Sequence, residues 1–147
     1  MLLQPKNRKY RKDQSGGCKF SEKTQTDRLV FGCYGLKALE SPRSGYLKAS
    51  VIEAVRRVLI RKIRKIGKIW IRIFPYKPIT QKPTKTRMGK GKGNVQFWAC
   101  PIKQGQILFE LSSNLPMETI KKVFEQATHK VPFKTKFVYS KSVNPIK

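Results

Sequence analysis

Thr86 to Asn94 reads "TRMGKGKGN", three glycines alternating with two lysines behind an arginine. Residues of these types at this spacing could cradle the phosphates of a nucleotide, lie slack as a linker, or approach a nucleic-acid backbone. A phosphate-binding P-loop needs four residues between its first glycine and a Gly-Lys-Ser/Thr, so that backbone N–H groups surround the phosphates and a hydroxyl holds magnesium. Neither that spacing nor that hydroxyl is present. The dinucleotide fingerprint fails too, because strand-like residues follow Gly93 where a helix N-terminus should receive a pyrophosphate. A phosphate backbone suits the run better. Glycine removes bulk that would hold RNA away, lysine neutralises it as a point charge, and arginine offers a planar fork. Composition leaves two readings open: a finger stiffened by Pro75, Pro78 and Pro83 and presented to RNA, or a disordered linker.

Catalysis finds less support. Acid–base or nucleophilic chemistry would want paired carboxylates or a nucleophile with its base, and the only histidine, His129, ends an amphipathic helix where packing or capping explains it. Cys18, Cys33 and Cys100 are odd in number and include no Cys-x-x-Cys pair, so they read as free thiols rather than zinc ligands or disulfides. The expectation is no enzyme, no cofactor and no metal.

The balance of charge names the partner class. Thirty-three Lys and Arg against eight Asp and Glu give +25 over 147 residues, a self-repulsion that a polyanion relieves. Between Glu53 and Glu110 there is no acid at all but there are 15 basic residues, whereas a merely solvated surface mixes signs. Nucleic acid is expected, and no apolar run approaches the roughly 20 residues that span a bilayer.

These residues need elements to position them. Residues 1–28 have no amphipathic period and read as an extended basic arm that orders only on its partner. "LVFGCYGLKAL" (29–39) reads as a strand with a bend or bulge at its glycines. From Lys48, Val51, Ile52, Val55, Val58, Leu59, Ile63 and Ile66 recur at helical spacing, with Gly67 as a stop. The opposite face carries Arg56, Arg57, Arg61, Arg64 and Lys65, more cations than the macrodipole needs, and reads as a phosphate-facing stripe. "KIWIRIF" (68–74) alternates as a strand with Ile69, Ile71 and Ile73 inward. Arg72 then faces outward toward RNA, and Trp70 either packs or stacks on a base. Residues 75–94 read as a projecting basic loop. "VQFWACPI" and "QILFEL" read as a hairpin turning at Gly105, and Met117, Ile120, Val123, Phe124, Ala127 and Val131 as a second helix opened by Pro116. Residues 133–139 could form a last strand before a basic tail, 140–147. The fold class is α+β: one domain, 29–139, in which two helices pack on a largely antiparallel sheet, with the N-terminal arm and a long Gly-rich loop.

"FGCYGLKALE", "IEAVRRVLIRKIRKIGKIWIRIFPYKPIT", "KPTKTRMGKGKGN" and "HKVPFKTKFV" resemble, in order, the segments of the bacterial-type large-subunit ribosomal protein L-sixteen family, from about Pro5 to Val138. The resemblance implies a structural constituent of the large ribosomal subunit, bound to its rRNA between the central protuberance and the base of the lateral stalk and added late in assembly. It implies that Arg87, Met88, Gly89, Lys90, Gly91, Lys92 and Gly93, with Asn94, form a loop reaching toward the peptidyl transferase centre to help position A- and P-site tRNA. It also implies that Arg56, Arg57, Arg61 and Arg64 face rRNA while Lys6, Arg8, Lys9, Arg11 and Lys12 thread into it. Neighbouring ribosomal proteins are implied as further partners; a membrane and a small-molecule substrate are not expected. Tyr76 stands where the family usually has Asp and Lys85 where Glu is common, both changes removing negative charge. The 23 lysines against 10 arginines, with many isoleucines, look like an A+T-rich gene. That favours an organelle-encoded protein, mitochondrial ahead of plastid, with a bacterial cytoplasm as the alternative. The rival function is a free RNA-binding or RNA-annealing protein.

Overall fold

A computed structural model describes residues 3–14, 26–40, 45–63 and 66–140. Among these residues seven strands and two helices follow one another as β1 (Tyr34–Ala38), β2 (Tyr46–Lys48), α1 (Ala49–Ile63), β3 (Gly67–Ile71), β4 (Lys77–Gln81), β5 (Asn94–Pro101), β6 (Ile107–Ser113), α2 (Met117–Thr128) and β7 (Thr135–Tyr139). The α+β class is as expected, with all pairings antiparallel, but the strands divide into two sheets, ordered β3-β6-β1-β7 and β2-β5-β4.

Helix α1 forms because Ile52, Val55, Leu59 and Ile63 fall on one stripe, and all four are buried. Each such side chain contributes about 1.5–3 kcal/mol of burial. Helix α2 buries Ile120, Val123, Phe124 and Ala127 in the same way, starts after Pro116, and places Glu118 in its first turn, where the macrodipole favours an acid. The two helices pack on each other and on the sheets. Strand β6 is buried from Ile107 to Leu111, a continuous run that only a strand covered on both faces can sustain.

Three details differ from the sequence reading. Gly67 does not end α1 in a left-handed turn; it opens β3, where a Cβ would come within 2.8 Å of the Ser112 carbonyl and 2.6 Å of Ile63 Cγ2. Gly105 does take a left-handed φ of 79°, yet it turns the chain from one sheet to the other, so β5 and β6 do not form a hairpin. Residues 75–94 are not all loop. Lys77–Gln81 forms β4, paired to β5 with Pro78 opposite Trp98, and the sequence hid it because proline argues against a strand except at an edge, which is where β4 lies. The first strand does carry a register shift against β6, but at Leu36/Lys37, just beyond the glycines where a bend or bulge was expected.

Candidate nucleic-acid interface

Strands β4 and β5 make the stem of a hairpin whose tip is residues 82–93. The pairing runs to Gln81 opposite Asn94. Gly93 is required at the neck, since a Cβ there would lie 2.6 Å from the Gln81 carbonyl oxygen. Above the neck Thr86 N–H bonds Pro83 O at 3.1 Å, and the Lys82 ammonium donates to Gly89 O at 2.7 Å, folding the tip back on itself. Gly89, Lys90 and Gly91 then take three consecutive positive φ angles, 97°, 53° and 72°. The two glycines adopt this at no steric cost, while Lys90 in the left-handed region costs of order 1–2 kcal/mol. A Cβ on Gly89 or Gly91 would meet nothing within 4 Å, so these glycines serve the backbone path and not a tight fit within the protein. Every residue from Gln81 to Lys92 is exposed, Met88 completely. Among the described residues Arg87 has no hydrogen bond or ion pair.

The N-terminal segment differs from an arm that waits for its partner. Residues 3–14 contain no helix or strand, yet Leu3 is buried in the main core. Arg8 donates to both oxygens of Asp13 at 2.9 Å and lies 5.5 Å over the Trp98 ring on β5. Lys12 Nζ donates to Lys92 O at 3.0 Å, and Lys92 Nζ donates in return to Asp13 O. This reciprocal contact joins the segment to the Gly-rich loop. Lys6, Lys9 and Arg11 are exposed along it. Of the expected arm, residues 1–2 and 15–25 lie outside the described residues, as does the tail beyond Ser140.

On α1 the expected cations part company. Glu53 accepts from Arg56 Nε and Nη2, both at 2.7 Å, and from Arg57 Nε at 3.1 Å. The Arg56 hydrogen bonds hold the Glu53 carboxyl down at about 2, and the same bonds raise Arg56. Arg56 is thereby folded onto its own helix, its side chain 23% exposed against 72% for Arg57. Arg57 and Arg61 present the open charge, while Arg64 and Lys65 lie outside the described residues.

Arg72 is a correction. Its guanidinium pairs with Glu110, whose side chain is wholly buried, and it lies 5.1 Å over the Phe31 ring. The same carboxyl group accepts from the backbone N–H of Val30 at 3.2 Å, Phe31 at 2.6 Å and Gly32 at 2.9 Å. An arginine read as facing RNA is instead taken up inside the protein. The sequence signal was available: one acid in the apolar run "ILFELS" cannot be buried without a cation or several donors. Two further participants, Asp13 and Trp98, were not read from the sequence: Asp13 pairs with Arg8 five positions away but meets Lys92 across 79, and Trp98 lies 90 positions from Arg8.

Among the described residues there is no cluster of His, Cys, Asp and Glu suited to a metal, and no helix is long and apolar enough to cross a membrane. An α+β body with an exposed helix stripe of one sign and an open basic hairpin tip defines a class of protein built to meet a polyanion. The profile of the family described as ribosomal protein L16p/L10e matches residues 5–138. A curated relative, the large ribosomal subunit protein uL16 of Halorhodospira halophila (strain DSM 244 / SL1), is 49% identical over 137 residues, 93% of this chain and 96% of its own. The chain belongs to the ribosomal protein L16p/L10e family, as the motifs implied. It is a structural, non-enzymatic protein of the ribosome, with rRNA and other ribosomal proteins as its partners.

Proposed function

We propose that this chain is a structural constituent of the large ribosomal subunit that binds rRNA through its N-terminal segment and α1, and that its loop Arg87–Asn94 helps position A- and P-site tRNA near the peptidyl transferase centre. The subunit is that of the uL16 relative. The observation that carries the tRNA role is the loop itself. Its neck is closed by Gly93 against Gln81, its path is set by three positive φ angles, and its arginine is left without an internal partner. A linker would need none of these. Arg57 and Arg61 supply phosphate contacts from α1, with Arg64 and Lys65 continuing the stripe in sequence, and Lys6, Arg8, Lys9, Arg11 and Lys12 supply them from the N-terminal segment. Lys90 and Lys92 add charge at the tip.

The lysine-rich composition supports an organelle ribosome, mitochondrial ahead of plastid. A bacterial ribosome is the second reading, favoured by the bacterial source of the relative.

The test is sucrose-gradient fractionation with the protein tracked by mass spectrometry, using wild type and Arg87→Ala. Both proteins should comigrate stoichiometrically with large subunits, and Arg87→Ala subunits should bind tRNA less well. A wild-type peak at the top of the gradient would support the free RNA-binder, and equal loss of assembly and tRNA binding would make the loop architectural.

A further inference from the structure

The Glu110 carboxyl group fixes residues 30–32, yet the aromatic side chain in that segment is not used by the core. Phe31 is 56% exposed, although its own N–H and those of both neighbours are bound to a buried side chain. Its placement is constrained a second time next door, where a Cβ on Gly32 would sit 2.7 Å from the Leu111 carbonyl oxygen, so this backbone lies directly on β6. The Phe31 ring stands 6.2 Å from that of Trp70 at an interplanar angle of 20°. Trp70 belongs to β3, an edge strand, and is half-buried. The Arg72 guanidinium braces Phe31 at 5.1 Å, and the exposed Lys68 ammonium lies 5.4 Å from the Trp70 ring centre. Lys68 has no carboxylate partner among the described residues.

We infer that Phe31 and Trp70 form a stacking platform for an unpaired RNA base, with Lys68 placed for the phosphate beside it. A fixed, partly exposed aromatic pair loses little freedom on binding, every base offers a π-face, and base–aromatic contacts are how single-stranded RNA is held. The choice of RNA over an apolar protein surface rests on charge. Trp70 and its neighbours Lys68 and Arg72 lie in the interval that contains 15 basic residues and no acid, and the Glu110 carboxylate behind Phe31 is already paired with Arg72. This rests on the ribosomal reading only in requiring RNA as the partner.

The test titrates the full-length protein, at several salt concentrations, with a short unstructured RNA oligonucleotide and with a fully paired RNA duplex. Wild type is compared with Phe31→Ala, Phe31→Leu and Phe31→Tyr after melting curves show that the variants are folded. Stacking predicts that Ala and Leu weaken oligonucleotide binding equally, by about 5- to 150-fold, that Tyr retains it, and that duplex affinity and the salt slopes are unchanged. If Leu binds as wild type, the surface is an apolar contact and the platform is refuted; if Ala does, the ring is idle. In both cases steep salt-dependent duplex binding leaves the ribosomal reading standing. A wild-type protein that binds neither RNA would sink both.

Discussion

Arg72 and Arg87 stand fifteen positions apart in a stretch without a single acid, and the fold treats them in opposite ways. Arg72 is brought to the only fully buried charged residue among the described ones and, with three backbone N–H groups, satisfies it. Arg87 is carried on the exposed tip of a hairpin with nothing to satisfy it. One guanidinium holds the protein together; the other has no anion within it among the described residues. The charge of a single residue therefore says little about its role in so basic a chain; what separates the two is whether the structure supplies an anion of its own.

The largest effect that could break this contrast is at Glu110. Glu110→Ala removes the acceptor of three backbone donors and leaves Arg72 uncompensated, which should cost about 3–5 kcal/mol. That is a fall in Tm of roughly 6–20 °C for a chain of this size, read by circular dichroism. A melting point unmoved by the change would show the buried pair to be dispensable. At the hairpin, Gly93→Ala should cost about 1–3 kcal/mol by forcing the neck open against Gln81. Gly89→Ala, strained only by its φ, should cost about 1 kcal/mol. A larger loss from Gly89→Ala would mean that the tip, not the neck, fixes the loop.

The smallest effect belongs to α1 and its acid limb. Glu53 is held at about 2, below its ordinary 4.5, so it adds stability above pH 4.5 that is lost as pH falls toward 2. Glu53→Gln should flatten the acid side of the Tm-versus-pH curve across that window and leave neutral pH little changed. Unaltered acid behaviour would mean that the arginines do not discriminate between its protonation states.

The helices and β3 were legible because their apolar residues recur with the period of the element: Ile52, Val55, Leu59 and Ile63 every three or four positions, and Ile69, Ile71 and Ile73 every second. Strand β2 was missed because three residues show no period, and β4 because Pro78 reads as a breaker. The division into two sheets was invisible, since pairing is decided between residues such as Leu47 and Cys100 that only the folded chain brings together. At the interface the loop was legible as composition. Its internal ties were not: Lys12 with Lys92 and Glu110 with Phe31 join residues about 80 positions apart, and nothing in the local pattern marks them. Arg72 was misread for the same reason, as its partner lies 38 positions away.

The edges of the two sheets bear on the life of the protein before it reaches its RNA. An unpaired strand edge invites another chain to add to it, the route to aggregates. All four outer strands here carry a lysine, Lys48 on β2, Lys68 on β3, Lys77 on β4 and Lys136 on β7; β2 is only three residues long, and Pro78 removes a donor from β4. A newly made copy, unshielded and waiting for assembly, is thus discouraged from polymerising by charges of the same sign that draw it to RNA.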